Sequence, residues 1–294
     1  MSTAHWDEIC RKGVDWRRRL HRAPELTWQE RATAARIRGE LDRLGIAWRT
    51  CAETGTVATL ANKAAGRHIA LRADIDALPI VEASGVDWRS EHEGVMHACG
   101  HDGHTATLMT AAEWLVAHEA KLPGPVTLLF QPAEEGGHGA KAMIEDGALD
   151  GVDAVFGWHN WPNIPLGRAV CPDGVVMAAN GTFVIELIGE GGHASQPERT
   201  RDPILAAAAV IQALQQVVSR RLPPQEPAVL SVASLQARST DTIIPERAEL
   251  SGTIRCGNTQ RRDHMFELIT TIAEQTAAGY GVRAQVTCSP RYGA

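Results

Sequence analysis

Residues 68–76 read HIALRADID. A short apolar run of strand character leads directly into two aspartates, Asp74 and Asp76. The same grammar recurs twice downstream. Residues 126–135 read VTLLFQPAEE and end on Glu134 and Glu135, and residues 154–161 read AVFGWHNW and carry His159. Helical stretches at about 105–120 and 139–146 separate these strands, and strand–helix alternation predicts an α/β domain with a mainly parallel sheet. In open α/β sheets, sites gather beyond the carboxyl ends of the strands. Three strands that each end in carboxylates or imidazole therefore point to one chemically loaded sheet edge.

Outward from this core the pattern changes. Upstream, residues 5–20 and 28–44 read as helices, the second stopped by Gly45. The run Arg17–Arg19 with Arg22 reads as a solvated face. After Met177 the order becomes strand 182–188, helix 203–219, strands 229–235 and 248–255, helix 262–278 and strand 282–288. That βαββαβ order predicts a smaller two-layer, ferredoxin-like α+β domain with an antiparallel sheet. The expected division is 1–177 for the first domain and 178–290 for the second.

Composition narrows the function classes. The chain has 294 residues, ample for two domains with cores of their own. With 29 Lys and Arg against 35 Asp and Glu, the net charge is −6, which excludes a generally basic nucleic-acid binder. No apolar run is long enough to span a bilayer, so no membrane partner is expected. The opening MSTAHWDEICRKG lacks an apolar signal core, so a cytoplasmic location is expected. The six cysteines (Cys10, Cys51, Cys99, Cys171, Cys256 and Cys288) are scattered without a CxxC pair and read as reduced thiols. Five read as small core residues; Cys99 stands apart because of its neighbours.

Those neighbours form MHACGHDGH, residues 96–104, which places His97, Cys99, His101, Asp102 and His104 together. These are residue types that bind borderline transition metals. In an extended loop residues two apart share a face, so Cys99 and His101 are the expected ligands, with the thiolate as the binding form. His97 and His104 are expected to support rather than bind. A Glu-Glu pair is usually just solvated, but here it follows a buried strand. One carboxylate can bind metal while the other acts as general base and later general acid. Trp158 and Trp161 flank His159 and read either as an aromatic acyl pocket or as core or lid-contact residues.

Taken together, LRADIDALPI, MHACGHDGHTA, FQPAEEGGHGA, GWHNWP, GGHAS and the N-terminal LHRAPELTWQE resemble the M20 metallopeptidases, in particular the amidohydrolases of N-acyl amino acids, hippurate and auxin conjugates. The resemblance runs along essentially the whole chain. It implies Cys99, His101, Glu135 and His159 as metal ligands, Glu134 as general base, and Asp76 as a support of the metal centre. His193 of GGHAS would polarise the scissile carbonyl across a dimer interface. It further implies two divalent ions, Mn2+ or Zn2+, a small N-acyl amino acid substrate, and a homodimer formed through the smaller domain, which would also act as a lid.

Two departures from the family pattern matter. Thr242 stands where the family usually has Asn before its IP step, and Arg255 keeps the GTIR pattern as a candidate partner of a substrate carboxylate or of a structural acid. Family members also continue past SPRYGA, with a return to the catalytic domain and one more ligating His. Residues 291–294 would begin that return, so the first domain is expected to be incomplete at its C-terminal end. The leading expectation is metal-dependent hydrolysis of N-acyl amino acids. The alternatives are a catalytically inactive metal-binding and dimerising protein, a dipeptidase, or an acyl-diaminopimelate deacylase.

Overall fold

The computed structural model describes residues 3–293. The chain divides into two compact units, Met1–Gly167 and Arg168–Ala294. The expected boundary at 177–178 falls inside the second unit, just ahead of its first strand.

The first unit is built from helices α1 (Thr3–Arg22) and α2 (Arg31–Leu44), strands β1 (Trp48–Cys51), β2 (Gly55–Leu60) and β3 (Ile69–Asp74), helix α3 (His101–Val116), strand β4 (Val126–Gln131), helix α4 (Gly139–Glu145) and strand β5 (Ala154–Gly157). Its sheet runs β1-β2-β4-β3-β5. β3 pairs in parallel with both β4 and β5, while β1–β2 and β2–β4 are antiparallel. The expected mainly parallel sheet is therefore mixed. The hairpin that makes it so turns through Ala52 and Glu53, both at positive φ. Neither residue advertises a left-handed turn as Gly or Asn would.

Strand β4 shows why the sheet is a core element. All six of its residues are buried, as expected of a strand covered on both faces. Val126, Leu128 and Phe130 face Ile37 and Leu41 of α2 and Leu108, Met109 and Ala112 of α3. On the other face Leu129 joins Val57, Ala70 and Met143 of α4. β4 is thus held between helices, while β5 is a short, largely exposed edge strand; the three parallel strands β3, β4 and β5 share one carboxyl edge.

The second unit comprises β6 (Ala179–Ile188), β7 (Gly192–His193), α5 (Pro203–Leu214), β8 (Ala228–Gln236), β9 (Ile243–Ile244), β10 (Arg247–Cys256), α6 (Thr259–Ala278) and β11 (Arg283–Pro290). The sheet order β11-β6-β10-β8 is antiparallel throughout, the topology of a split β-α-β unit. Alternate residues of β6, among them Phe183, Ile185 and Leu187, pack with Val210 and Leu214 of α5 and Met265 and Ile269 of α6. Asp202 caps α5 by accepting from the Ile204 and Leu205 amides, with Pro203 in the first turn. Asn258 caps α6 through the Arg261 amide. Both are strong start signals.

Phe130→Ala, at a fully buried position, is expected to lower the unfolding free energy by about 3–5 kcal/mol. Val81→Ala, at a side chain 74% exposed, is expected to change it by no more than about 0.5 kcal/mol. Denaturant unfolding of both variants checks the placement of the core.

Candidate metal centre

The parallel strands deliver their polar ends together. β3 leads into Asp74 and Asp76, β4 into Glu134 and Glu135, and β5 into His159. The fourth contribution is the start of α3. Gly100 sits at φ 89 and turns the chain into the helix, a conformation that costs glycine little. The helix therefore begins at His101, earlier than expected. His101 and His104 project from its first turn rather than from an extended loop, and the expected reason for Cys99 and His101 to converge is corrected accordingly.

The convergence itself is clear. Cys99, His101 and His159 form one group whose candidate ligand atoms lie within 4.8 Å of one another; His101, Glu134 and Glu135 form a second, and Asp74, His101 and His104 a third. Cys99 Sγ lies 3.5 Å from His159 Nε2. Bonds of about 2.3 Å to sulfur and about 2.0 Å to nitrogen at a tetrahedral angle separate two such atoms by about 3.5 Å. His101 Nε2 lies 3.8 Å from Glu135 Oε1 and 3.9 Å from Glu134 Oε2.

Asp76 organises this group. Its Oδ1 accepts from His101 Nδ1 at 3.2 Å, and its Oδ2 accepts from the Glu135 amide and the Thr27 hydroxyl, each at 2.9 Å. Since the carboxylate takes the Nδ1 proton, the lone pair of a neutral His101 ring lies on Nε2, the atom facing the glutamates. Both His101 Nε2 and Glu135 Oε1 are buried without a hydrogen-bond partner. Such orphaned groups are costly. A cation between them would satisfy both, so the residues present fit a divalent ion.

The electrostatics agree. Burial opposes charge on His101, yet its hydrogen bond to Asp76, the neighbouring Cys99 and the nearby aspartate charges push its pKa up to about 11. An anionic shell that holds a proton this firmly favours any cation in the same place, and a divalent ion competes with that proton. Burial would raise Asp76, but the His101 contact and backbone amides hold it below the usual carboxylate range. Glu134 goes the other way, raised by burial and by the charge of Glu135. Its side chain is 40% exposed against 21% for Glu135. Glu134 thus has the freer carboxylate of the pair.

The remaining expected residues lie in the second unit. His193 is exposed on β7, which pairs with β9 so that His193 faces Ile243. Its Nδ1 accepts from the Ser195 amide at 3.2 Å and meets the Ser195 hydroxyl at 2.8 Å. That places the proton of a neutral ring on Nε2. Arg255 donates to Thr253 Oγ1 at 2.5 Å and to the Ile254 carbonyl at 2.9 Å. It makes no ion pair among the described residues. Thr242 holds the same loop as His193, its carbonyl accepting from the Ala194 amide.

Asp74, marked in the sequence by its place at the strand end, is joined at the centre by Thr27 and Asn160, which the sequence did not single out. Arg17 is not merely solvated. It donates to buried Asp102 at 3.2 Å, which also pairs with His21 Nδ1 at 3.0 Å. His21 in turn reaches Glu82 at 3.1 Å, so α1 is bolted to the first turn of α3. Trp158 and Trp161 are half exposed, and their rings stand edge-on to His104 and His159. They border the site rather than the core.

Residues 70–284 match peptidase family M20/M25/M40. N-acetyl-L-cysteine deacetylase of Bacillus subtilis (strain 168) is 44% identical over 271 residues, covering 92% of this chain and 65% of the relative. Hippurate hydrolase of Campylobacter jejuni is 40% identical over 273 residues, covering 92% of this chain and 71% of the relative. The chain thus spans about two thirds of the length of these relatives. The crystal structure of the YXEP protein of Bacillus subtilis, described as a dinuclear metal-binding peptidase of family M20, superposes with a TM-score of 0.81. It is 37% identical, with 97% of this chain and 74% of that one covered.

Asp76→Ala frees His101 to rotate and releases the Glu135 amide. It is expected to weaken Zn2+ binding about 10- to 100-fold while leaving the far-ultraviolet circular dichroism unchanged. Competitive titration against a chromophoric chelator measures this.

Proposed function

The chain belongs to peptidase family M20/M25/M40, and on that premise we propose that it hydrolyses the amide bond of N-acyl amino acids, hippurate-like or acetylated. The observation that carries this reading is the buried, partnerless pair of His101 Nε2 and Glu135 Oε1 beside the freer carboxylate of Glu134. The two relatives named for deacylating N-acyl amino acids support the substrate class.

In this reading Cys99, His101, Glu135 and His159 hold two divalent ions, manganese or zinc. When bound, such ions supply Lewis acidity that polarises the amide carbonyl and lowers the pKa of water. The protein's own groups do the rest. Asp76 keeps the His101 lone pair aimed into the centre and holds the Glu135 backbone. Glu134 takes a proton from the attacking water and delivers it to the amine nitrogen as the C–N bond breaks, the general base becoming the general acid. His193 donates from Nε2 to the carbonyl oxygen as negative charge develops there. The Nδ1 contact with Ser195 supports that tautomer.

Arg255 is assigned to the substrate carboxylate, consistent with its lack of an acidic partner among the described residues. Trp158 and Trp161 are assigned to the acyl side. The second unit is assigned to lid and dimer formation, with His193 offered across the interface. Its edge strand β8 carries exposed Val229 and Leu235, and open apolar edges favour pairing. A cytoplasmic location is part of the same reading. Among the described residues no helix is long and apolar enough to cross a membrane.

Glu134→Gln removes the proton carrier and leaves the four ligands in place. Turnover of a panel of N-acetyl and N-benzoyl amino acids with added Mn2+ or Zn2+ is expected to fall at least about 100-fold, with metal content close to that of the wild type. Unchanged turnover in the variant contradicts the assigned mechanism. A wild-type protein that binds metal and cleaves none of the panel supports a non-catalytic, metal-binding role instead.

A further inference from the structure

His104 lies beside the proposed ligands, yet both of its nitrogens are already committed. Its ring is buried. Nδ1 contacts Asp74 Oδ1 at 2.6 Å, and Nε2 accepts from the backbone amide of Asn160 at 3.0 Å. Nε2 also meets the side-chain oxygen Oδ1 of the same residue, so it faces Asn160 alone. Both nitrogens are thus taken up by protein contacts, and neither lies open to an ion.

The partner of His104 is itself held from a second side. The Asn160 side chain lies against His104 Nε2 and over Gly100. A Cβ at Gly100 would stand 2.6 Å from Asn160 Oδ1 and 2.8 Å from its Nδ2, so the glycine leaves the space that Asn160 occupies. The segment after β5 is thus docked on the start of α3 at two points. The preceding residue is His159. Its Nδ1 donates to the Asn160 carbonyl at 2.7 Å, which leaves the Nε2 lone pair facing Cys99 Sγ. His159 is exposed and follows a strand of only four residues. Besides this tether its ring packs on that of His104, with centroids 4.4 Å apart.

We propose that His104 and Asn160 are positioning residues that fix the place and the tautomer of His159, through a chain running from Asp74 to His104 to the Asn160 backbone. The inference rests on the reading of His159 as a ligand. It assigns His104, despite its position among the candidate ligands, to the orientation of another ligand rather than to the ion.

A double-mutant cycle on the full chain tests it, with Zn2+ affinity as the readout. His104→Ala and His159→Ala are each expected to weaken Zn2+ binding about 10- to 100-fold. The double variant is expected to bind within about twofold of His159→Ala alone, because His104 acts only through His159. Losses that multiply show that His104 acts by another route, such as Asp74 on His101, and overturn the inference alone. An unchanged affinity in His104→Ala does the same. If His159→Ala binds as tightly as the wild type, the ligand reading falls and this inference with it. Should His104→Ala fail to fold, Asn160→Ala, which removes the side chain lying on Gly100, carries the same cycle with the same expected non-additivity.

Discussion

A single buried carboxylate sets the geometry of the centre. Asp76 receives three donors from three separate parts of the first unit: the His101 ring, the Glu135 backbone and the Thr27 hydroxyl. Hydrogen bonds to an ionised, buried group are strong because water does not compete for it. Through these contacts α3, the end of β4 and the loop before α2 are fixed relative to one another. The position of the Glu134–Glu135 pair and the direction of the His101 lone pair both follow from Asp76.

A second, parallel arrangement exists two residues earlier. Asp74 holds His104, and His104 holds Asn160. Asp74 at the end of β3 and Asp76 just beyond it, on either side of Ile75, thus each hold one histidine of the same helical turn. In the proposed reading the two take different roles, since hydrogen bonding at one imidazole nitrogen decides what the other can do. A third buried acid, Asp102, ties the same turn to α1 through Arg17 and His21. The first turn of α3 is therefore clamped on several sides.

Much of this was legible in the sequence. Continuous apolar runs such as VTLLFQ announce strands buried on both faces, and β4 is one. Residues after such runs collect at one sheet edge, so Asp76, Glu134, Glu135 and His159 could be grouped without coordinates. The βαββαβ order of the second unit was equally readable from its periodicities. The β1–β2 hairpin was not, because its turn uses Ala52 and Glu53 in a conformation their side chains do not signal. The early start of α3 was hidden because Gly100 reads as loop. The partnership of His104 with Asp74 and Asn160 lay beyond reach for a different reason. It joins residues 30 and 56 positions apart, and only the folded sheet brings them together. Arg17 was misread because a run of arginines on one helix gives no hint that one of them reaches a buried acid.

The most direct test of the account is anomalous X-ray diffraction from crystals of the zinc-loaded protein, recorded on both sides of the zinc absorption edge. The account predicts anomalous density at bonding distance from His101 Nε2, Cys99 Sγ, Glu135 and His159 Nε2, with His104 outside bonding distance. No anomalous density at His101, or zinc bound by His104 and Asp74 in place of Cys99 and Glu135, would contradict it.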